Sequence, residues 1–371
     1  MLLADMGARV IKVEPPAGDS SRVMAGTHGS DSPAFNAVNR GKLGVVLDFD
    51  QAKGREVFVR LAREADILIE NFRPGVMARL GIDYETLSRE NPRLIYASIS
   101  GHGQTGPWSS KGGFDLIAQG LSGLMSVTGH PGEAPAKVGV PITDLGAGLF
   151  AAIGVLAALH HRSQTGRGQH IDTSLVEAGL ALSVWEATHY FTTGQVPGPI
   201  GSAHRLTAPY QAFRCADGYI TIGGANDRNF VKIARVLGHP EWLTDQRFAT
   251  NHERVQYQSE LAAMVDATTR TNPRAFWIEQ FEQAGVPCGP ILDYEDALTT
   301  PQAMAREMTV DVDHPTLGRL RTLGTPIKMS ETPLNPKRRA PLLGEHTDSV
   351  LSRAGYSDDE IEQLRISGAA R

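Results

Sequence analysis

Cysteine is scarce in this sequence of 371 residues, which contains Cys215 and Cys288 and no others. The two lie far apart and outside any metal-ligand spacing, so we expect neither a disulfide framework nor a zinc site, and the pattern predicts a reducing compartment, the cytoplasm. An excess of basic charge is absent as well, because 36 Lys and Arg residues stand against 41 Asp and Glu residues. The formal net charge of −5 indicates neither a nucleic-acid-binding protein nor a membrane-surface protein.

A hydrophobic run long enough to cross a membrane is also missing. The apolar run at 145–159 is shorter than the ~20 residues that a bilayer requires. It contains Gly146, Gly148 and Gly154, which suit close packing against another backbone. The run therefore predicts a helix buried in the core of the protein.

Common catalytic patterns are missing too. No serine lies in G-x-S-x-G, and none of the 12 histidines forms an H-x-x-x-H pair with a neighbouring acid. The stretch GHGQTG at 101–106 satisfies G-x-G-x-x-G, but Pro107 and Trp108 follow where a dinucleotide-binding helix would begin. A glycine loop after a strand, which can still line a pocket, is favoured over a nicotinamide site.

What the chain does contain is an alternation of strand and helix patterns, which is typical of an α/β fold with a parallel sheet. Runs rich in β-branched residues predict strands at 8–14, 43–49, 65–71 and 93–100. The charges and apolar positions of 52–64 fit a helix that covers one face of the sheet.

Changes in composition predict the domain boundaries. A Gly- and Pro-rich stretch near residue 193 predicts a linker, after which strand and helix patterns indicate a smaller α+β domain. A second, irregular stretch leads to two helices at the C-terminus. The predicted organisation is a large domain at 1–190, a linker at 191–204, a small domain at 205–300, a linker at 301–325 and a C-terminal part at 326–371.

Asp144 is the single charged residue between Val138 and Leu159. One interpretation is structural, because Asp is a preferred N-cap. The other is catalytic: Gly146 and Gly148 leave the first turn bare, so unpaired N–H groups there could stabilise an oxyanion. The helix dipole would also keep Asp144 ionised and therefore nucleophilic. The residues alone leave both interpretations open.

The stretch ENFRPGVMARLG at 70–81 ends a predicted strand and turns at Pro74 and Gly75 into a helix. The N–H groups of this turn, with Arg73 and Arg79 nearby, could bind phosphates. The alternative is a solvated helix start with ordinary surface arginines.

Motifs along nearly the whole chain resemble the class III coenzyme A transferases, the CaiB/BaiF group. The resemblance lies in LLADMGARVIKVEPPAGD, NRGKLGVVLD, ADILIENFRPGVMARLG, SISGHGQTGPW, GGFDLIAQGLSGLMSVTG, ITDLGAGLFAAIGVLAAL, TGRGQHIDTSLVEA, PYQAF, GVPCGPI and APLLGEHTDSVL. It implies a Rossmann-like large domain built from both chain ends, an inserted small domain, and an interlocked homodimer.

The resemblance also assigns site residues. Asp144 matches the nucleophile of the family, which carries CoA through mixed-anhydride and aspartyl-CoA thioester intermediates, and Asp115 and Gly146 complete the catalytic group. The CoA nucleotide would bind at Asn71, Phe72, Arg73, Arg79, Leu80 and Lys111. The stretch 201–207 matches a loop that covers the site. Acyl-CoA and a small carboxylic acid are then substrates, with no permanently bound cofactor, no metal, no nucleic acid and no membrane.

Two departures from the family pattern bear on these expectations. The chain opens with MLLADMGARVIKVE, inside a helix that leads into a strand, so we expect one βα element before Met1 to be missing. The Gly-rich cover loop of formyl-CoA transferase is replaced by GSAHRLTAPYQ, which argues against oxalate as the acceptor.

The substrate and the reaction class have competing assignments. Resemblance to the succinyl-CoA:dicarboxylate subgroup predicts a succinyl-CoA donor and a dicarboxylic acceptor, with His204 or Arg205 binding the distal carboxylate. An α-methylacyl-CoA racemase would need a histidine just before Asp115, where this chain has Phe114, which cannot exchange a proton. A CoA-binding protein without turnover is the third possibility.

Overall fold

The structure is a computed structural model that describes residues 1–26, 32–224 and 226–371. Its strands in chain order are β1 (Val10–Glu14), β2 (Lys42–Val46), β3 (Ile67–Glu70), β4 (Ile95–Ser100), β5 (His170–Ser174), β6 (Tyr210–Cys215), β7 (Gly218–Gly223), β8 (Cys288–Pro290), β9 (Thr309–His314) and β10 (Gly318–Leu323).

The α-helices come in two sets along the chain. Before residue 200 they are α1 (Leu2–Asp5), α2 (Pro33–Asn39), α3 (Ala52–Glu64), α4 (Val76–Leu80), α5 (Tyr84–Glu90), α6 (Asp115–Leu121), α7 (Leu124–Val127), α8 (Ile142–Thr165), α9 (Leu175–Leu182) and α10 (Val184–Thr193). After it they are α11 (Asp227–Val236), α12 (Asn251–Gln256), α13 (Gln258–Thr269), α14 (Arg274–Gln283), α15 (Tyr294–Thr299), α16 (Pro301–Ala305), α17 (Thr347–Arg353) and α18 (Asp358–Ile366). Short 3₁₀ helices lie at Ser20–Gly26, Pro240–Leu243 and Gln246–Phe248.

A parallel sheet of β3, β4 and β5, with β4 in the centre, organises the first half of the chain. Ile95 and Ala97 of β4 pack in one cluster with Val155 of α8. Tyr96, between them, belongs to a different cluster that contains Leu68 of β3. Apolar residues therefore cover both faces of β4, as is usual for a parallel sheet. The strands predicted at 65–71 and 93–100 are confirmed.

β1 and β2 form a separate parallel pair. Val45 of β2 packs with Val57 of α3 and with apolar residues of α17 and α18. The strands predicted at 8–14 and 43–49 and the helix predicted at 52–64 are confirmed, with β2 ending at Val46. The fold is mixed α/β.

The chain divides into two compact units. One comprises Met1–Ser122, Gly139–Val184 and Leu298–Arg371, so both chain ends belong to it, and the other comprises Gly123–Val138 and Trp185–Ala297. The second unit contains the antiparallel sheet β6–β7–β8, with α11, α13 and α14 packed around a core that includes Phe213, Ile233 and Phe281. The domain boundaries drawn from the sequence stay a prediction.

The expectation of irregular structure at 301–325 is wrong. α16 begins at Pro301, and β9 and β10 form an antiparallel hairpin. In β9 the side chains of Val310, Val312 and His314 are buried, and the residues between them are more exposed. This alternation is the period-two pattern of a strand, and it was present in the sequence.

Helix α8 differs most from its prediction. Its buried face carries small residues, Ala147, Ala151 and Ala158, whereas Leu149 and Ile153 are 50% and 62% exposed. The expectation of a buried core helix is therefore wrong for one face. By length and composition alone α8 could cross a membrane, contrary to the expectation from the shorter run. One helix of this kind is weak evidence, because the core helix of a soluble protein passes the same test.

Candidate active site

Asp144 lies in the first turn of α8 and is not its N-cap. The helix begins at Ile142, its N-cap residue is Pro141, and Pro141 supplies no capping side chain. The interpretation of Asp144 as a cap is therefore wrong. Its side chain is exposed to solvent, and among the described residues none donates a hydrogen bond to its carboxylate.

Asp115, at the start of α6, supplies the cap that α8 lacks. Its Oδ1 accepts the amide N–H of Thr143 at 3.0 Å and the Thr143 hydroxyl at 2.8 Å. Its Oδ2 accepts the Gln119 amide at 2.7 Å, and the amide of Asp144 also donates to Asp115. Thr143 and Gln119 are both completely buried. Asp115 thus holds the N-termini of α6 and α8 together.

The environments of the two carboxylates move their pKa values in opposite directions. Desolvation would raise the pKa of Asp115, but the hydrogen bonds from Thr143 and Gln119 outweigh it and hold that pKa below its ordinary value. Desolvation, followed by the negative charge of Asp115, raises the pKa of Asp144 above its ordinary value. Both causes oppose the expected effect of the helix dipole, which would favour the ionised form of Asp144. A carboxylate with a raised pKa is the stronger nucleophile of the pair.

The first turn of α8 has no spare N–H donors. The amide of Ile142 donates to Val140, those of Thr143 and Asp144 donate to Asp115, and that of Leu145 donates to Pro141. The orphan donors of a helix start are thus satisfied within the protein. The expectation that they form an oxyanion site is wrong.

The glycines of this turn differ in their surroundings. Gly146 is buried against α9, where an added Cβ would lie 3.1 Å from Leu182 Cδ1 and 3.4 Å from Ala178 Cβ. Gly148 faces open space. Gly146 thus has a packing role, since the small residue lets α8 and α9 approach each other, and its role at the catalytic centre stays a prediction.

Direct contact between two glycine backbones positions Asp115. A Cβ added to Gly113 would lie only 2.5 Å from the Cα of Gly101, the first residue after β4. Gly113 is two residues before Asp115, so the end of β4 fixes the start of α6. No helix begins at Gly106, which agrees with a glycine loop rather than a dinucleotide fingerprint.

The segment expected to hold CoA follows β3, beside the end of β4. Because β3 and β4 are parallel, their carboxyl ends share one edge of the sheet, the usual location of ligand sites in α/β folds. Asn71 Nδ2 donates to the carbonyl of Ile99 at 2.7 Å, and the Phe72 ring is 45% exposed. Leu80 packs against the cluster that contains Met77.

Cations without acidic partners flank this segment. Among the described residues, no carboxylate pairs with Arg73, Arg79 or Lys111. The Arg73 guanidinium lies on the backbone of Gly112, where a Cβ would be 2.9 Å from Nη2. Lys111 Nζ lies 4.4 Å from the centre of the Trp108 ring. The structure thus brings Arg73 and Lys111 to the same loop, with charges available to an anionic ligand.

His204 and Arg205 belong to the second unit. Arg205 is already engaged, because Nε donates to Glu186 Oε2 and Nη2 to the Gly198 carbonyl, both at 2.7 Å. The His204 ring lies edge-on to Tyr210, and its Nδ1 accepts the amide of Leu206 at 3.1 Å. A distal carboxylate would have to compete with Glu186 for Arg205.

Sequence reasoning missed Thr143 and Gln119. Gln119 lies four residues after Asp115, a spacing at which Gln and Asp interact on a helix, so that pair was open to prediction. The bond from Thr143 joins two helices and has no local pattern. Among the described residues, no group of three or more His, Cys, Asp or Glu side chains is placed to hold a metal ion.

Comparison with known proteins covers most of the chain. The sequence model of CoA-transferase family III matches residues 1–347. Succinyl-CoA:glutarate CoA-transferase of Mus musculus is 36% identical over 371 residues, which cover 99% of this chain and 85% of that protein. Acetyl-CoA:oxalate CoA-transferase of Acetobacter aceti is 41% identical over 331 residues, which cover 89% of this chain and 84% of that protein.

A solved structure gives the same result. The crystal structure of a CaiB/BaiF family protein from Brucella suis matches with a TM-score of 0.83 and 39% sequence identity, and the match covers 95% of this chain and 93% of that chain. The family model, the relatives and the solved structure therefore agree, and the chain belongs to CoA-transferase family III, the CaiB/BaiF group of enzymes that transfer CoA.

Proposed function

We propose that this enzyme transfers CoA from succinyl-CoA to a dicarboxylic acid and that the Asp144 carboxylate carries CoA between the two acids. The single observation that carries the proposal is this carboxylate, which is exposed, has a raised pKa and receives no hydrogen bond from the described residues. Glutarate and oxalate, named for the two relatives, are both dicarboxylic acids.

The reaction proceeds by exchange at carbonyl carbons. An Asp144 oxygen attacks the thioester carbon of succinyl-CoA, and the CoA thiolate leaves to give a mixed anhydride. The thiolate attacks the Asp144 carbonyl, which gives aspartyl-CoA and releases succinate. The acceptor carboxylate attacks the carbonyl of aspartyl-CoA, and the CoA thiolate leaves to give a second mixed anhydride. The thiolate then attacks the acceptor carbonyl of this anhydride, which gives the acceptor acyl-CoA and frees the Asp144 carboxylate. Each step exchanges one acyl bond for another, so positioning supplies most of the catalysis.

The CoA nucleotide binds at Asn71, Phe72, Arg73, Arg79, Leu80 and Lys111. Its pyrophosphate and 3′-phosphate require cationic partners, and guanidinium groups suit phosphate oxygens. Arg73, Arg79 and Lys111 have no acidic partner in the part of the chain that the structure describes, which supports this assignment. His204 remains a candidate for the distal carboxylate, and Arg205 requires release from Glu186 to take that role.

A second copy of the chain covers the exposed face of α8 in this proposal. Leu145, Leu149, Ile153 and Leu156 form one apolar stripe on that face, and stripes of this kind are typical of subunit interfaces. The homodimer, its interlocked form and its location in the cytoplasm stay predictions.

Trapping of the aspartyl intermediate tests the proposed function. The enzyme is incubated with succinyl-CoA, treated with hydroxylamine or borohydride, and digested for peptide mass spectrometry. We expect modification at Asp144 and none at Asp115. Asp144→Ala should lose activity by about a thousandfold or more while CoA binding persists.

Controls separate the alternatives. Modification at a residue other than Asp144, or an Asp144→Ala rate within about tenfold of the wild-type rate, contradicts the proposal. CoA binding with no modification and no transfer would identify a binding protein without turnover. An acceptor screen that includes oxalate, glutarate and monocarboxylic acids tests the substrate class, and exchange with monocarboxylic acids alone contradicts it.

A further inference from the structure

Glu70, the last residue of β3, is a buried acid that the proposed mechanism does not use. It is 8% exposed and has no cationic side chain in an ion pair with it among the described residues. Burial raises its pKa, although donors around it act in the opposite direction. Burial of a carboxylate costs free energy unless hydrogen bonds or an opposite charge replace its lost hydration.

The principal contact of Glu70 is with the backbone of the segment that follows. Its Oε2 accepts the amide N–H of Phe72 at 2.7 Å. The parallel ladder between β3 and β4 ends at the pair Glu70 and Ser98, so Phe72 has no strand partner in that ladder. The carboxylate takes the place of that partner and sets the direction in which the chain leaves the sheet.

Ser98 of β4 contacts Glu70, and His170 of β5 contacts Ser98 in turn. Ser98 lies opposite Glu70 in the register, is 2% exposed, and lowers the pKa of Glu70 through a side-chain hydrogen bond. Its Oγ also lies 2.9 Å from Nε2 of His170 in β5. The His170 ring stacks on Tyr84 with centroids 5.1 Å apart. A chain of contacts thus runs across all three strands to Phe72.

We infer that Glu70 is a positioning residue for CoA binding: the contact chain His170–Ser98–Glu70 fixes the backbone of Asn71, Phe72 and Arg73 in the conformation that receives the CoA nucleotide. The inference rests on the proposed function of that segment. Asn71 is held by its hydrogen bond to Ile99, and Arg73 by its contact with Gly112. Glu70 holds Phe72, the residue between them.

Substitution of the acceptor oxygen tests the inference. Glu70→Leu removes the acceptor, whereas Glu70→Gln keeps an oxygen for the Phe72 amide and an NH₂ group for Ser98. We expect Glu70→Leu to raise the KM for acyl-CoA and the Kd for CoA by about tenfold or more, with kcat within about threefold of wild type. Glu70→Gln should restore both constants to within about threefold, and KM for the acid acceptor should not change.

Glu90 supplies the matched control. It is an exposed glutamate of the same unit whose ion pair with Arg63 lies on the surface. Glu90→Leu and Glu90→Gln should leave both constants unchanged. Ser98→Ala removes the hydrogen bond to Glu70 and keeps the Phe72 contact, so its KM for acyl-CoA and Kd for CoA should lie between those of wild type and Glu70→Leu. This milder variant keeps the test valid if the Glu70→Leu protein does not fold.

The outcomes are distinguishable. An unchanged Kd for CoA in Glu70→Leu and Ser98→Ala, or a loss confined to kcat, overturns the inference. Calorimetric titration with CoA needs no turnover, so it tests the inference even if wild-type protein shows no trapped Asp144 intermediate. Wild-type protein that fails to bind CoA overturns the inference and the proposed function together.

Discussion

Replacement of Thr143 by Val tests the link between the two carboxylates most directly. Valine has nearly the shape of threonine but lacks the hydroxyl that donates to Asp115 at 2.8 Å. Thr143 is completely buried but Asp115 is only partly buried, so solvent can replace the lost donor to the carboxylate only in part. A hydrogen bond to a charged group contributes about 1.5–3 kcal/mol, so we expect the free energy of unfolding at pH 7 to fall by about 2 kcal/mol.

The loss should depend on pH with a definite sign. The pKa of Asp115 is lowered in the folded protein, so its stabilising contribution is present above the unfolded value of about 3.9 and disappears as pH falls through the folded value. Thr143→Val raises the pKa of Asp115 towards its ordinary value. The difference in stability between wild type and variant should therefore be largest near pH 7 and shrink below about pH 4.

Thr143→Ser is the matched control. Serine keeps the hydroxyl and loses the methyl group, so any destabilisation should be the same at pH 7 and at pH 3.5. Urea unfolding followed by circular dichroism gives the free energies, and amide exchange of peptides that span 140–150 locates the change at the start of α8. A Thr143→Val protein as stable as wild type at pH 7, or a loss equal at pH 7 and pH 3.5, would refute the reasoning.

Further predictions concern the same region. Desolvation raises the pKa of Asp144 most, and the charge of Asp115 adds to the effect. Asp115→Asn removes that charge, so the acid limb of kcat/KM should move to lower pH and kcat should fall; an unmoved limb contradicts this. Gly113→Ala forces a Cβ onto the Cα of Gly101 and should cost about 1–3 kcal/mol and reduce kcat, whereas Gly289→Ala, in open space, should not. Ile153→Glu places a charge in the proposed α8 interface and should yield monomers, measured by light scattering after size exclusion, whereas the exposed control Lys53→Glu should not. A dimeric Ile153→Glu protein argues against the proposed interface.

Much of the fold was predictable because its patterns are local. The β-branched runs that became β3 and β4 and the amphipathic helix α3 each carry their own periodicity. Strand β9 also carries a local pattern, the alternation of Val310 and Val312 with polar residues, although the sequence-based expectation there was irregular structure. The role of Asp144 as the nucleophile is implied by family resemblance, because the residues alone leave a cap and a nucleophile both open.

What the sequence did not reveal depends on contacts between distant segments. Asp115, at the start of α6, caps α8 by accepting the amide of Thr143. The N-cap preference for Asp had pointed to Asp144 instead, because Asp144 is local to α8. The hydrophobicity of α8 was evident, but which face is covered depends on its neighbours, and the covered face is the one that carries the small residues. The raised pKa of Asp144 likewise depends on tertiary structure, first through desolvation and then through the charge of Asp115 on another helix.

The touching backbones of Gly101 and Gly113 close the loop at 102–112 at its base. A loop tied at its neck can change in length or sequence at its tip without shifting what lies beyond the neck, because the entropy of closing it grows only slowly with length. Trp108 and Lys111 lie within this loop, whereas Asp115 lies beyond it. Substitutions or short insertions in the loop can therefore alter ligand preference without a change in the geometry of Asp115 and Asp144, which makes this loop the natural place to begin engineering the enzyme.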